Sequence, residues 1–250
     1  MIHTNSDKLL HDKPSNDRSA LYPLHPFRLL MVSAPGGGKR QACLELIGRH
    51  PKPFDTITVM HLDPKGTTEY ETLDGAKMIG ENDLPDASTF DRSKRNLLII
   101  DEINISDKKP AYKKSFDRLF NYCSTHCSLS IICQVQDAFT LPVSCRRAMN
   151  HWALWRSSDS FVTNTLGRRL GIKQLGDIFD DLELGAHDYV WIDFAPPIEQ
   201  STPGFANSRV RALPHVHPRG LGSRPSSLRG LNEEFYKKKF KTKKLRHLED

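Results

Sequence analysis

The sequence predicts an α/β fold in which helices cover both faces of a mainly parallel sheet, followed by a basic tail without a fold of its own. Aliphatic runs alternate along the chain with segments whose apolar residues have helical spacing, which is the order that builds parallel sheets. Two of the runs, residues 29–32 and 97–100, are continuously apolar, as strands buried on both faces are. Hydrophobic residues form 38% of the 250-residue chain, which is enough for one sizeable core.

The first half of the chain predicts two strands with one helix between them. Residues 27–33 are mostly aliphatic and predict a central strand, and residues 41–50 carry apolar side chains at helical spacing. Residues 54–61 alternate and are rich in β-forming types, so they predict a second strand, which the turn residues 63–66 end. The stretch 78–84 is only weakly patterned and predicts no element.

The second half continues this alternation. Residues 97–100 and 129–133 predict two buried strands, and residues 112–123 between them place apolar side chains on one helix face. The remaining elements are a strand, a helix broken at Gly171 and a last strand, at residues 152–155, 161–182 and 188–194. Strands that alternate with helices in this way favour a parallel sheet.

The two ends of the chain differ in composition from the part between them. Residues 1–20 are polar and charged, without the apolar segment of a secretory signal, and predict a disordered leader. Residues 203–230 are rich in Pro, Arg, Ser and Gly and predict an unfolded segment, and residues 232–247 predict a short lysine-rich helix. The expected division is a leader, one α/β domain and a tail, at residues 1–20, 21–200 and 201–250.

The positive charge of the chain is concentrated in the tail. Residues 209–250 contain 12 Lys and Arg against 4 Asp and Glu, a net +8, so the whole-chain net charge of +6 leaves −2 for the other residues. The sequence contains no run of about 18 apolar residues, so it predicts no membrane span. The odd number of cysteines indicates a reducing compartment. Zinc binding by Cys123, His126 and Cys127 is disfavoured, because buried cysteines usually act as small hydrophobic residues.

A glycine-rich segment directly follows the first predicted strand. It comprises Ser33, Ala34, Pro35, Gly36, Gly37, Gly38, Lys39, Arg40 and Gln41. Glycines let backbone N–H groups approach phosphate oxygens, the next helix directs its positive end towards them, and Lys39 adds a charge for the β- and γ-phosphates. The segment therefore predicts the phosphate-binding loop of a P-loop NTPase, although a plain strand-to-helix turn is the alternative.

The loop departs from the G-x-x-x-x-G-K-[ST] pattern at two positions. Gly38 and Lys39 match the pattern. Ser33 replaces the first glycine, and Arg40 replaces the hydroxyl residue that binds Mg²⁺. Because a cation cannot ligate a cation, three interpretations stay open. Asp101, water and phosphate hold Mg²⁺ alone, or hydrolysis is impaired, or Arg40 itself contacts phosphate.

Acidic and amide side chains follow the next two buried strands. Asp101 and Glu102 come after the third predicted strand, and Gln134 comes after the fourth. Ligands of α/β proteins bind at the carboxyl ends of the strands. The pattern predicts that Asp101 holds Mg²⁺, that Glu102 polarises the attacking water, and that Gln134 reaches the γ-phosphate or that water. Ordinary polar residues at the ends of strands are the alternative.

Two arginines, Arg146 and Arg147, follow the fourth strand at a short distance. An arginine at this point is a candidate for reaching the triphosphate of a neighbouring subunit and stabilising the charge on the transferring phosphoryl group. A solvated basic pair is the alternative interpretation.

These motifs together resemble one family of P-loop ATPases. Residues 54–70 and 98–102 are similar to the genome-packaging ATPases of double-jelly-roll viruses and Polinton-like elements. Further short motifs are similar to the poxvirus member of the same group, namely residues 129–134, Leu141-Pro142, Arg147-Ala148 and Asn150-His151. The group belongs to the FtsK/HerA-type division, and the resemblance covers roughly residues 27–194.

The resemblance implies a homo-oligomeric ring that uses ATP hydrolysis to move double-stranded DNA into a preformed capsid and that contacts capsid proteins. It implies that Lys39 binds the phosphates, Asp101 holds the metal and Glu102 is the catalytic base. It also implies that Gln134 senses the γ-phosphate and that Arg147, and less strongly Arg146, acts on the site of a neighbouring subunit. The location implied is intracellular, in a viral factory or in the host nucleus or cytoplasm, or within the virion.

The lysines of the tail indicate contact with DNA. They are Lys237, Lys238, Lys239, Lys241, Lys243 and Lys244, and aromatic residues are interleaved with them. Such a cluster binds phosphates without sequence preference. A nuclear localisation signal and simple solvation are the alternatives.

The sequence thus predicts an ATP-dependent motor that packages double-stranded DNA, with ATP and Mg²⁺ as cofactors. One alternative is a P-loop-derived protein with weak catalytic activity that acts in DNA binding or in assembly. The arginine at position 40 of the loop favours this alternative. Another is a different DNA-directed ATPase, such as a helicase. The nucleotide site itself requires the glycine loop and the pair Asp101-Glu102 to meet at one edge of the sheet.

Overall fold

The computed structural model describes residues 23–182, 184, 187–194 and 209–213. Its strands are β1 Arg28–Val32, β2 Thr56–His61, β3 Lys77–Gly80, β4 Asn96–Asp101, β5 Leu129–Val135, β6 His151–Trp155, β7 Tyr189–Asp193 and β8 Arg209–Leu213. They form one eight-stranded sheet in the order β3-β2-β4-β5-β1-β6-β7-β8.

In the described part of the chain, five α-helices of six or more residues connect the strands. They are α1 Lys39–Gly48, α2 Pro110–Arg118, α3 Val143–Ala148, α4 Ser160–Arg169 and α5 Leu175–Asp181. Helix α2 continues without a break into a π-helix at Leu119–Cys123 and a last turn at Ser124–His126. No helix of the described residues has the length and apolar character that a membrane span requires.

The sheet is mainly parallel, as predicted. Strands β1 to β6 run in one direction, whereas β7 is antiparallel to β6 and β8 is antiparallel to β7. Two helices, α4 and α5, separate β6 from β7. The chain therefore re-enters the sheet at the edge that it left, and Tyr189 at the start of β7 pairs with Trp155 at the end of β6.

Each face of the sheet has its own hydrophobic core, because side chains of a strand alternate between the two faces. Leu98 and Ile100 of β4 join the larger core, which includes residues of α2, α4 and α5. Leu97 and Ile99 join the smaller core, which includes residues of α1. The continuous apolar run of β4 is thus explained by burial on both faces, and the predicted covering of both faces by helices is confirmed.

Most predicted elements are present, and three of the described strands and α-helices were not predicted. Gly171, in the left-handed region with φ +75°, lies between α4 and α5 as expected of the glycine break. The unpredicted elements are β3 in the weakly patterned stretch, the short helix α3, and β8. Strand β8 lies within residues 203–230, which the composition predicted to be unfolded. Within that segment, residues 209–213 pair with β7, and the other residues lie outside the described part of the chain. Residues 1–20 and 214–250 lie outside the described residues.

Candidate nucleotide site

The glycine-rich loop leaves the sheet at the end of β1 and folds back tightly on itself. The backbone N–H of Ser33 donates to Val135 O at 3.2 Å, and that of Gly37 donates to Ala34 O at 3.2 Å. A Cβ atom on Gly37 would lie 1.8 Å from Ser33 Oγ, so the absent side chain of Gly37 provides the space that the Ser33 hydroxyl occupies. Gly38 has a left-handed φ of +97° and is the N-cap residue directly before α1.

Lys39 lies at the start of α1 and turns back into the loop. Its Nζ donates to Ser33 O at 2.7 Å and to Ala34 O at 3.3 Å, and only 6% of the residue is exposed. Burial lowers the pKa of Lys39, and the carboxylates of Glu102 and Asp101 act in the opposite direction. The ammonium group is therefore held against the loop, near both acidic residues.

The N-terminus of α1 has an unusual charge. The first backbone N–H groups of a helix lack partners within it and carry a partial positive charge, which favours acidic side chains in the first turn. Helix α1 has none there and begins instead with Lys39 and Arg40. Gln41, in the same turn, donates from Nε2 to Glu45 Oε1 at 3.3 Å, while the loop tip from Ala34 to Gly36 is exposed.

The predicted acidic pair lies at the same edge of the sheet as the loop. Asp101 is the last residue of β4, is 2% exposed, and pairs with Gln134 on β5 and with His61 on β2. The next residue, Glu102, is exposed and has a left-handed φ of +58°. Its backbone N–H donates to Gln134 O at 3.1 Å, which turns the chain out of the sheet.

Arg40 connects the loop directly to Asp101. Its Nε and Nη2 atoms each lie 3.1 Å from Asp101 Oδ2, and Nη1 contacts the carboxylate of Glu69. The centre of the guanidinium lies 5.6 Å from the centre of the Tyr70 ring. Burial by itself lowers the pKa of Arg40, but Asp101, Tyr70 and Glu69 outweigh it and raise the pKa above its usual value. The loop and the acidic pair thus meet, as the nucleotide site requires.

Tyr70 joins Asp101 to Gln134 beneath this ion pair. The Tyr70 hydroxyl donates to Asp101 Oδ2 at 2.8 Å and accepts from Gln134 Nε2 at 2.8 Å. Burial, together with nearby Cys43 and Asp101, raises the pKa of Tyr70, so this phenol stays protonated and remains a donor. Gln134 is fully buried, and its Oε1 has no hydrogen-bond partner among the described residues.

Four residues of the site carried no predicted role. Glu69 and Tyr70 appeared only as part of the motif that resembles the packaging ATPases, which was the signal available for them. His61, whose Nε2 lies 3.9 Å from Asp101 Oδ2, ends the strand beside Asp101. His187 is exposed, with Nδ1 lying 3.4 Å from Gly37 O, and no sequence pattern marks it because it approaches from 150 residues away.

The arginine pair does not join this site within the chain. Arg147 is exposed near the end of α3, next to Ala148, whose carbonyl oxygen accepts from Arg28 Nε at the start of β1. This is the edge of the sheet opposite the loop. Arg146 lies over the ring of Phe139, 4.9 Å from its centre. The six tail lysines predicted to bind DNA lie outside the described residues.

No protein-family model and no curated protein matches the chain by sequence. Solved structures do match. The DNA-packaging ATPase B204 of Sulfolobus Turreted Icosahedral Virus has a TM-score of 0.55 and 11% identity, covering 78% of this chain and 100% of that one. The genome packaging NTPase B204 of Sulfolobus turreted icosahedral virus 2, in complex with AMPPCP, has a TM-score of 0.52 and 10% identity, covering 76% and 99%.

The chain has the fold of these packaging NTPases. The mainly parallel α/β fold that the sequence predicted, with helices on both faces, is thereby confirmed. A B204 structure in complex with sulfate matches equally well, with a TM-score of 0.55 and 11% identity over 77% of this chain and 99% of that one. At identities near one tenth, these matches show a shared fold and nothing about the chemistry of this chain.

Within this packaging-NTPase fold, the residues around Asp101 do not fit a Mg²⁺ site of the usual P-loop kind. The position of the metal-binding hydroxyl is held by Arg40, whose guanidinium already contacts Asp101 Oδ2. That oxygen also accepts from Tyr70. In the described part of the chain, no group of three or more His, Cys, Asp or Glu side chains is arranged to hold a metal ion. The Mg²⁺ role of Asp101 therefore stays a prediction.

Proposed function

We propose that the chain is an ATP-dependent motor that packages double-stranded DNA into a capsid. The observation that carries the proposal is the convergence of Lys39, Asp101 and Gln134, from α1 and two neighbouring strands, on one edge of the sheet beside a glycine-rich loop. A nucleoside triphosphate needs backbone donors, a fixed cation and polar groups near its γ-phosphate at one place.

The charges at the start of α1 support a bound anion. Two cationic side chains at the positive end of a helix destabilise it when nothing negative is near. Asp101 and Glu69 form ion pairs with Arg40. Lys39 has Glu102 and Asp101 nearby, but its ammonium contacts backbone carbonyl oxygens rather than a carboxylate, and the exposed loop tip has no acidic residue. A triphosphate on the loop would offset the remaining charge, and the loop's backbone N–H groups would bind its oxygens.

The residues at the ends of β4 and β5 are suited to hydrolysis. Glu102 is exposed at the sheet edge, where its carboxylate can take a proton from the attacking water. Gln134 Oε1 is buried with no hydrogen-bond partner among the described residues, so it is available to accept a hydrogen bond from that water. In this arrangement Lys39 stabilises the charge on the phosphoryl group that is transferred.

A homo-oligomeric ring is part of the proposal. Arg147 is exposed at the sheet edge opposite its own loop, so it serves catalysis only by reaching the site of a neighbouring subunit. The tail lysines would contact the DNA backbone as it passes, and capsid proteins would be further partners. The proposed location is that of virus assembly, in a viral factory, in the host nucleus or cytoplasm, or in the virion.

Release of phosphate from ATP, measured with and without double-stranded DNA, tests this function. We expect DNA to stimulate release and Lys39→Ala to lower it by about 100-fold or more, as loss of a main charge-stabilising group does. Lys173→Ala, at an exposed lysine before α5, is the matched control and should retain the activity. Phosphate release that DNA does not stimulate would contradict the motor.

The second candidate function is DNA binding or assembly by a protein with weak catalytic activity. Its nucleotide site would have a structural role. The contact between Arg40 and Asp101 favours it, because it places a fixed cation where hydrolysis ordinarily uses a metal. In the same assay this candidate binds ATP and DNA but releases no phosphate above the level of Lys39→Ala.

A further inference from the structure

We propose that Arg40 supplies the positive charge that a divalent cation supplies in the usual P-loop site, so that the chain binds a nucleoside triphosphate without a divalent metal. The inference rests on the proposed nucleotide binding. It names how that site balances charge, and it concerns binding rather than the rate of hydrolysis.

Arg40 occupies the position of the metal-binding hydroxyl residue. Arg40 follows Lys39 directly in the first turn of α1, where the P-loop pattern places the hydroxyl residue that binds the metal. Its guanidinium reaches the carboxylate that the pattern assigns to the same metal, with both Nε and Nη2 at 3.1 Å from Asp101 Oδ2. Arg40 thus replaces one of the two protein ligands of the usual metal site, the hydroxyl residue, and contacts the other, Asp101.

The guanidinium of Arg40 is held in place from three sides. Asp101 contacts its Nε and Nη2, Glu69 contacts its Nη1, and the Tyr70 ring centre lies 5.6 Å from its central carbon. The Arg40 side chain is 29% exposed, so one side of it remains open to a ligand. A cation anchored in this way is preorganised and needs little rearrangement to meet an anion.

The guanidinium of Arg40 has N–H donors left for a ligand. A guanidinium has five N–H groups. Nε and Nη1 donate hydrogen bonds to Asp101 and Glu69, and Nη2 lies 3.1 Å from Asp101 Oδ2 as an ion pair. At least one N–H on each Nη atom therefore remains for phosphate oxygens. Arginine binds phosphate through such pairs of donors.

A divalent cation has little binding free energy to gain at Asp101. Asp101 Oδ2 already accepts from Tyr70 at 2.8 Å and contacts the guanidinium. A divalent cation would have to displace Arg40 or lie beside it against like-charge repulsion. The fixed charge of Arg40 also offsets the two carboxylates, which would otherwise repel a triphosphate.

The test is titration of ATP into the full chain by calorimetry, with excess MgCl₂ or with excess EDTA. We expect the affinity of the wild-type chain to differ by less than about threefold between the two conditions. Arg40→Thr restores the hydroxyl of the pattern, so its affinity in EDTA should fall by about tenfold or more, as loss of charged hydrogen bonds does, and Mg²⁺ should recover it. Arg49→Thr, at the C-terminal end of the same helix, is the matched control and should behave like the wild type.

The outcomes separate this inference from the proposed function. Wild-type affinity that falls about tenfold in EDTA would overturn the role of Arg40 and leave nucleotide binding intact, whereas no ATP binding under either condition would overturn both.

A reciprocal measurement on the wild-type chain needs no variant, because coupling between two ligands is mutual. Electron paramagnetic resonance measures the affinity of Mn²⁺ for ATP, and the chain should not increase this affinity. Tighter Mn²⁺ binding in the ternary complex would contradict the inference.

Discussion

Tyr70 is the residue on which the polar interior of the site depends. Its hydroxyl donates to Asp101 and accepts from Gln134, each at 2.8 Å, and the residue is 1% exposed. Bulk water has no access to the Tyr70 hydroxyl at this depth, so Asp101 and Gln134 each depend on Tyr70 for this hydrogen bond. This chain of hydrogen bonds also connects the end of β4 to the end of β5, beside Glu102.

Tyr70→Phe removes the hydroxyl and little else. We expect the free energy of unfolding to fall by about 1–3 kcal/mol, because Gln134 Nε2 loses its acceptor in the buried site. Urea denaturation measures the change. The matched control, Tyr122→Phe at an exposed tyrosine, should stay within about 0.5 kcal/mol of the wild type. Equal losses in the two variants would mean that the buried bridge adds no stability.

At the scale of elements, the close approach of α4 and α5 depends on one glycine. Gly167 lies inside α4, and its carbonyl oxygen accepts from Ile172 N at 2.7 Å. A Cβ atom at this position would lie 2.6 Å from Ile172 O and 2.8 Å from Leu175 Cβ. Both distances are below van der Waals contact, so only glycine allows the chain to turn back here and seat α5 against α4.

Gly167→Ala should therefore destabilise the protein by about 1–3 kcal/mol, the range found when a close-packed interior is overfilled. Gly48→Ala is the matched control, since a Cβ atom on Gly48 at the end of α1 meets no atom within 4 Å. Alanine there should stabilise by up to about 1 kcal/mol. Thermal unfolding of the two variants measures opposite shifts of the midpoint, and shifts of the same sign would refute this account of the helix pair.

At the scale of the whole molecule, a buried histidine ties the segment before β1 to the sheet. His25 Nδ1 lies 2.7 Å from Ser130 Oγ on β5, and Nε2 lies 2.9 Å from Ser128 Oγ. Burial, with a smaller contribution from nearby Arg95 and His50, lowers the pKa of His25 to about 3. His25 is therefore neutral in the folded protein over the range in which an unfolded chain protonates it.

This difference predicts lower stability in acid. Between pH 6.5 and about 3 the unfolded chain binds a proton at His25 that the folded chain does not, so the free energy of unfolding falls as the pH falls. The contribution is about 1.4 kcal/mol per pH unit in that window and vanishes above it. Urea denaturation at several pH values should give a shallower pH dependence for His25→Gln than for the wild type. His50 acts in the same direction in both proteins, so parallel curves would rule out His25 as the source.

The order of the parallel strands and the place of the glycine loop were predictable because both depend on local patterns. Apolar runs and turn residues specify strands and their ends wherever the chain lies, and parallel strands bring their carboxyl ends to one edge. Strand β3 was missed because all four of its residues are at least partly exposed and it is short. Strand β8 was missed because its partner, β7, orders it from a distance in the chain.

The sequence by itself determined the fold class, the loop and the meeting of Lys39 with the pair Asp101-Glu102, since these follow from hydrophobic period and strand direction. Only the tertiary structure decided which groups touch. Arg40 and Asp101 are 61 residues apart, so their contact depends on how β4 and α1 are placed, as does the Tyr70 bridge to Gln134. The departure of Arg40 from the pattern was visible in the sequence, but its partner was not, because a side-chain contact is set by packing in three dimensions.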